Sequence, residues 1–253
     1  MATIEADRHG PIVTLTISNE AKRNAFTHAM TEALGERLHE AEADRSVRCV
    51  IITGAGDVAF SSGHDLREML AARSGASDPK ANDPFIAPAR MTTPTIAAVN
   101  GYAFAVGFIL ALHCDLRVCA ENASFAAPGA RIGLLPVAGQ ISRLPGLLPR
   151  AVVHELLVTC REMKAQEAHR FGFASQVVPA GQSLQTAKAL AGQIIANSGD
   201  VVAAIKNGLE ILHERGAPAA AEFEWQDSRR LQAGPHADEG MRAFLEKRRP
   251  NFA

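Results

Sequence analysis

One short stretch concentrates side chains able to move protons or attack a carbonyl: Ala59-Phe60-Ser61-Ser62-Gly63-His64-Asp65-Leu66. An imidazole titrates near neutrality and suits proton transfer. The two serines sit one residue short of the Gly-x-Ser-x-Gly elbow of serine hydrolases, and no paired His is indicated. Asp65 reads first as a helix N-cap, with Glu68 three residues later at capping-box spacing. Other signatures fail more plainly. Gly54-Ala55-Gly56 lacks the third glycine of a dinucleotide loop, no P-loop is present, and His154-Glu155 has no second His at zincin spacing. His113 lies in an apolar helical run and reads as a core residue. No metal site is expected.

The surrounding pattern supplies a scaffold. Residues 11–17 alternate apolar and polar like a half-buried strand, with Ile4 to Asp7 as a hairpin partner across His9-Gly10. Thr27 to Ala43 carries Met30, Ala33, Leu34, Leu38 and Ala41 at helical spacing. Cys49 to Thr53 reads as a buried strand, and a helix starts at Leu66. Ser74 to Asp83 is small, polar and proline-containing, and reads as a mobile loop. Thr95 to Val99 is a strand, followed by a glycine turn, a short apolar helix, and a strand from Leu116 to Ala120. Parallel neighbours need such crossovers, so residues 1–180 read as an α/β core of stacked ββα units. Beyond Pro179 the pattern is helical throughout (183–197, 200–215, 218–232 and 236–248), giving a second region over 181–253.

Composition narrows the class. A chain of 253 residues, 47% hydrophobic and 21% charged, can bury a sizeable core without staples. A formal net charge of −1 offers no field for nucleic acid or an anionic membrane. Lys247-Arg248-Arg249 reads as a solvated helix end. The four cysteines lack CxxC spacing and three lie in apolar runs, which predicts reduced thiols in a cytoplasmic protein. No secretory leader is visible at the N-terminus, and the Tyr102–Leu112 run is about half the length that spans a bilayer.

Four motifs in order carry a resemblance. They are Phe60-Ser61-Ser62-Gly63-His64-Asp65-Leu66, Pro94 to Ala103 with its Asn100-Gly101-Tyr102-Ala103, Phe125-Ala126-Ala127-Pro128 with Gly133 and Pro136, and Ala243 to Arg248. Over Ile12 to Phe252 the chain resembles the crotonase (enoyl-CoA hydratase/isomerase) superfamily. The wording is most similar to its enoyl-CoA hydratase domain-containing protein 3 branch. The resemblance implies a ClpP-like spiral of ββα units with a helical C-terminal trimerisation region. It also implies an acyl-CoA thioester as ligand, coenzyme A being part of the substrate rather than a cofactor, and a homotrimer or hexamer.

Matched residue by residue, the resemblance assigns the oxyanion hole to the backbone N–H groups of His64 and Val106. It assigns Arg23, Ala25, Ser62, Gly63, Asp65, Leu66, Gly107, Phe244 and Lys247 to substrate binding. Lys22 and Arg23 read equally as surface charges. The family's two glutamates fall at Ile109 and Gly129, its Gly-Gly pair at Ala105-Val106, and a nearby glycine at Val137. Neither 100–114 nor 122–154 contains Asp or Glu, so no shift of alignment restores a carboxylate. The expectation is an acyl-CoA binder with poor hydration. An enzyme of altered enolate chemistry (decarboxylase, isomerase or thioesterase) using the His64 ring, and a genuine hydratase, stand beside it. Arg131 and Gln140 flank the second missing glutamate, and with Tyr102 remain open between site and structural roles.

Overall fold

The computed structural model describes residues 2–72 and 79–252. The chain opens with a hairpin, β1 (Thr3–His9) against β2 (Ile12–Ser18), paired from Thr3↔Ser18 to His9↔Ile12. Gly10 makes the tight return at φ 58°. Helix α1 (His28–Ala43) buries Met30, Leu34, Leu38 and Ala41, and the Thr27 hydroxyl caps it by accepting from Met30 N–H. A sawtooth follows in which consecutive strands alternate between two sheets: β3 (Cys49–Gly54) and β4 (Ala59–Ser61), β5 (Thr95–Val99) and β6 (Tyr102–Phe104), β7 (Leu116–Ala120) and β8 (Ser124–Ala126). The first member of each pair joins a six-stranded sheet, β1-β2-β3-β5-β7 closed by β10 (Gln176–Val178). The second joins β4-β6-β8, completed by β9 (Met163–Lys164). Every residue of β3 and β5 is buried, which is why both are continuous apolar runs rather than alternating ones.

Helices fill the crossovers: α2 (Leu66–Ala72), α3 (Pro79–Arg90), α4 (Val106–His113), α5 (Arg150–Thr159) and α6 (Ala165–Arg170). The expected loop over 74–83 needs correction in part. Residues 73–78 lie outside those described, but from Pro79 onward the chain is helical. Pro84 and Pro88 disguise this helix in sequence. Packing overrides them: Phe85 is fully buried and meets Phe26 edge-on at 4.8 Å, and the missing Cβ of Gly35 leaves room for the Pro84 ring. Helix α4 is buried on all sides, hence its unbroken apolar sequence. Its last carbonyls are held by the buried Arg117 guanidinium, 3.1 Å from Ala111 O and 2.6 Å from Cys114 O. His113 is a core histidine as expected, its Nδ1 2.9 Å from Ile109 O.

The chain divides into two compact units, Met1–Ala191 and Gly192–Ala253, the division lying inside α7 (Ser183–Ile195). The second unit holds α8 (Gly199–Arg215), α9 (Ala217–Gln232) and α10 (Pro235–Leu245). Helix α10 ends before the expected 248 because Lys247 turns left-handed at φ 54°. Arg248 then folds back onto Glu239 at 2.6 and 2.9 Å. All four cysteines are buried thiols, and burial pushes Cys119 up to about 12. Among the described residues no helix is long and apolar enough to cross a membrane.

Candidate active site

Three segments converge at the ends of β2, β4 and β6. The turn after β2 touches the segment after β4 through a single parallel bridge, Phe26↔His64. Phe26 N–H donates to Gly63 O, and Phe26 O accepts from Asp65 N–H, each at 2.8 Å. In this pairing Phe26 uses both its groups, so the N–H and C=O of His64 face the opposite way. That way lies β6. Strand β4 runs parallel to β6 with Ser61 opposite Ala103, the last pair of that ladder; the same step carried on from there would set Gly63 beside Ala105 and His64 beside Val106.

Close approach at two glycines agrees with that register. A Cβ on Gly63, which has φ 112°, would lie 3.0 Å from Ala105 Cβ; one on Gly107 would lie 2.7 Å from Ser61 O. Ala105, at φ 49° and ψ −116°, turns the chain into α4. Val106 is the first residue of that helix, so its N–H has no intrahelical acceptor and lies at the positive end of the helix dipole. Among the described residues neither the His64 nor the Val106 amide has an acceptor.

The side chains are placed differently from the amides. The His64 ring meets Phe85 edge-on at 5.3 Å. Burial, with a smaller contribution from His28, lowers its pKa to about 4. At neutral pH the ring is therefore an uncharged acceptor and not a proton-donating imidazolium. Because its folded pKa lies below the unfolded value, acid destabilises the fold: this contribution is complete above about pH 6.5 and is lost as pH falls toward 4. We expect the urea midpoint to drop across that window, and less so in His64→Gln. A parallel decline in both proteins would contradict the placement of the ring.

Asp65 is consumed structurally. One oxygen accepts from Arg67 N–H at 2.9 Å, capping α2, and the other pairs with Lys22 Nζ at 2.6 Å. The Lys22 ammonium, then the Arg67 N–H, hold its carboxyl below the ordinary range. The expected capping box is only half formed. Asp65 N–H is already given to Phe26, so Glu68 instead caps the neighbouring helix by accepting from His28 N–H at 2.9 Å.

Arg23 adopts a left-handed turn at φ 55°, and its carbonyl accepts from Ser62 N–H at 3.1 Å. The Ser62 hydroxyl donates to Lys22 O, and buried Ala25 donates to the same carbonyl. Arg23, Ala25, Ser62, Gly63, His64, Asp65, Leu66, Val106 and Gly107 thus gather in one place within the first unit. Phe244 and Lys247 belong to the second unit, where Phe244 is 82% exposed and Lys247 terminates α10.

The enoyl-CoA hydratase/isomerase family pattern matches residues 7–253. The chain belongs to that family. It is similar over 98% of its length to the carnitinyl-CoA dehydratase of Salmonella typhi, at 37% identity and 97% coverage of that protein. It superimposes on the crystal structure of an enoyl-CoA hydratase from Polaromonas sp. JS666 with TM-score 0.91 and 33% identity, covering 98% of this chain and 99% of that one. The enoyl-CoA hydratase of Bacillus anthracis gives 0.90 and 29%, covering 98% of each. The fold is therefore that of the crotonase superfamily.

The two positions where the resemblance places acids carry no carboxylate. Ile109 is 3% exposed inside α4. Gly129 lies in a 3-10 turn (Pro128–Ile132), its carbonyl accepts from Leu134 N–H at 2.9 Å, and a Cβ there would sit 2.6 Å from Leu134 O. Of the flanking polar residues, Arg131 Nη2 donates to Cys160 O at 2.9 Å. Gln140 is 3% exposed, and its Nε2 has no hydrogen-bond partner among the described residues. Tyr102 packs on Phe104 with centroids 4.6 Å apart.

Sequence reasoning missed three residues that build the site: Phe85, which holds the His64 ring, and Asn24 and Asn100, whose carboxamides tie the converging turns together. The signal for the asparagines was a buried-type neighbourhood (Asn24-Ala25-Phe26 and Val99-Asn100-Gly101) around a polar side chain that must be satisfied.

Proposed function

We propose that the protein binds an acyl-CoA thioester, holds its carbonyl oxygen between the backbone amides of His64 and Val106, and hydrates enoyl-CoA poorly because no carboxylate stands at positions 109 and 129. Two preorganised donors polarise a thioester and stabilise an enolate-like oxygen. The observation that carries this reading is the parallel step from Ser61↔Ala103 toward His64 and Val106, with both amides lacking an acceptor among the described residues. Arg23, Ala25, Ser62 and Leu66 line the thioester's approach. The ligand class places the protein in fatty acyl-CoA metabolism, and its buried thiols suit a reducing cytoplasm.

A second reading, altered enolate chemistry through the His64 ring, draws on the chemistry of an imidazole that is uncharged at neutral pH and can accept a proton from an acyl α-carbon. A third, a genuine hydratase, is favoured by the names of the relatives. An acyl-CoA panel followed by thermal shift and mass spectrometry separates them. Stabilisation without product supports the binder. Product lost in His64→Ala supports the second reading, and 3-hydroxyacyl-CoA formed at family rates supports the third. No stabilisation by any acyl-CoA contradicts all three.

The second unit supports assembly. Val201, Ile205, Leu209 and Leu212 repeat on one face of α8, 40–60% exposed, beside a groove of about 1190 Å³ also lined by Phe223 and Met241. A second copy covers this face in the trimer or hexamer we expect. Sedimentation should give the mass of three or six chains; a monomer at micromolar concentration would contradict it.

A further inference from the structure

Two buried asparagines converge on a single backbone oxygen at the base of the site. Asn24, 1% exposed, sits in the left-handed turn after β2 at φ 56°. Its Nδ2 donates to Ala55 O at 2.9 Å and Ala59 O at 2.7 Å, and its Oδ1 accepts from Asn19 N–H at 3.0 Å. Asn100, 6% exposed, follows β5 directly. Its Nδ2 donates to Gly56 O at 2.8 Å and Ala59 O at 3.1 Å, and its Oδ1 accepts from Gly54 N–H at 3.0 Å. Each carboxamide uses both its N–H groups, and both lone-pair directions of the Ala59 carbonyl are taken.

Two glycines clear the space. A Cβ on Gly54 would lie 2.4 Å from Ala59 O, and one on Gly101 would lie 2.1 Å from Val58 O. The carbonyls of Ala55, Gly56 and Ala59 are thus satisfied by side chains rather than by a strand ladder, which ties the turns after β2, β3 and β5 to the first residue of β4.

The pairing of β4 with β6 shows why such a clasp matters. Ala59 stands opposite Tyr102, yet Ser61 stands opposite Ala103, so an extra residue is accommodated between them. Without that irregularity Ser61 would face Phe104, and His64 would move by about one residue, roughly 3.3 Å, along β6. We infer that Asn24 and Asn100 are positioning residues: by pinning Ala59 they hold β4 in its irregular register and thereby set the spacing of the His64 and Val106 amides. The inference rests on the oxyanion-hole reading above. A merely structural role would lower stability and leave the polarisation of a bound carbonyl unchanged in whatever protein remains folded.

The test uses a 2,4-dienoyl-CoA, whose conjugated thioester absorbs at longer wavelength when its carbonyl is polarised. Asn24→Gly keeps the left-handed turn accessible and deletes both donors. Asn24→Asp keeps the size and the acceptor for Asn19 but turns an oxygen toward the Ala55 and Ala59 carbonyls. Asn100→Ala removes the other half of the clasp. Spectra are taken on the full-length protein at a temperature where circular dichroism matches the parent. The parent shows a red shift, and each variant loses most of it while its affinity for saturated acyl-CoA changes by less than about tenfold.

A full red shift in folded variants overturns the inference. So does failure of all three variants to fold, which would make the clasp a determinant of global stability alone. No red shift in the parent, although the probe binds, would instead sink the oxyanion-hole reading itself.

Discussion

Crotonyl-CoA should be hydrated by this protein at least ~10⁴-fold more slowly than by a family hydratase carrying both glutamates, since each positioned acid or base is worth ~10²–10⁴ in rate. Both segments that should present the carboxylates contain none, and the nearby acids are occupied: Asp65 caps α2 and pairs with Lys22, and Glu68 caps α1. Returning the glutamates should not repair the deficit. At 129 any Cβ meets Leu134 O at 2.6 Å, so a side chain there forces the 3-10 turn open. At 109 a carboxyl would be surrounded by the apolar interior of α4, which favours its neutral form and disables it as a base. We therefore expect Ile109→Glu/Gly129→Glu to stay within about tenfold of the parent. A spectrophotometric assay at saturating enzyme checks both statements. Parent turnover at family rates, or a thousandfold gain in the double variant, would defeat this part of the account.

The second large effect concerns two glycines. Gly63→Ala adds a Cβ 3.0 Å from that of Ala105, at a φ of 112° that L side chains rarely adopt; Gly107→Ala drives one to 2.7 Å from Ser61 O. Either wedge separates the turn carrying the His64 amide from the turn carrying the Val106 amide. Losing one oxyanion donor costs ~10²–10³ in rate, and any thioester reaction this protein performs should fall by that factor in each variant. Coenzyme A lacking an acyl group has no thioester oxygen to place between these amides, so its binding should hardly change. Variants that fold and keep the parental rate would show that the turns tolerate separation, and that the amides are not the seat of the chemistry.

Much of this was legible in the sequence, for identifiable reasons. The buried strands Cys49–Gly54 and Thr95–Val99 are unbroken apolar runs ended by glycine or asparagine, and α1 carries a regular apolar face. Local pattern and tertiary burial agree there. Helix α3 was hidden because Pro84 and Pro88 speak against it locally, while the burial of Phe85 that stabilises it depends on Phe26, far away in the chain. The Glu68 cap was misassigned for a related reason: spacing alone cannot reveal that Asp65 N–H is claimed by Phe26. Backbone donors such as those at 64 and 106 carry no side-chain signature. The order of motifs alone points to them in the sequence, and the proposal that they bind an oxygen leans on the pairing of β4 with β6 and the clearances at Gly63 and Gly107. For the asparagine clasp the sequence offered only two polar side chains in apolar neighbourhoods; their shared acceptor, a main-chain carbonyl, leaves no trace in it.

A crystal structure of the protein with a bound acyl-CoA thioester tests the central claim most directly. The account predicts the thioester oxygen about 2.7–3.1 Å from both the His64 and Val106 nitrogens, with no carboxylate beside the carbons next to it. An oxygen bound elsewhere, or an Asp or Glu facing those carbons, would contradict it.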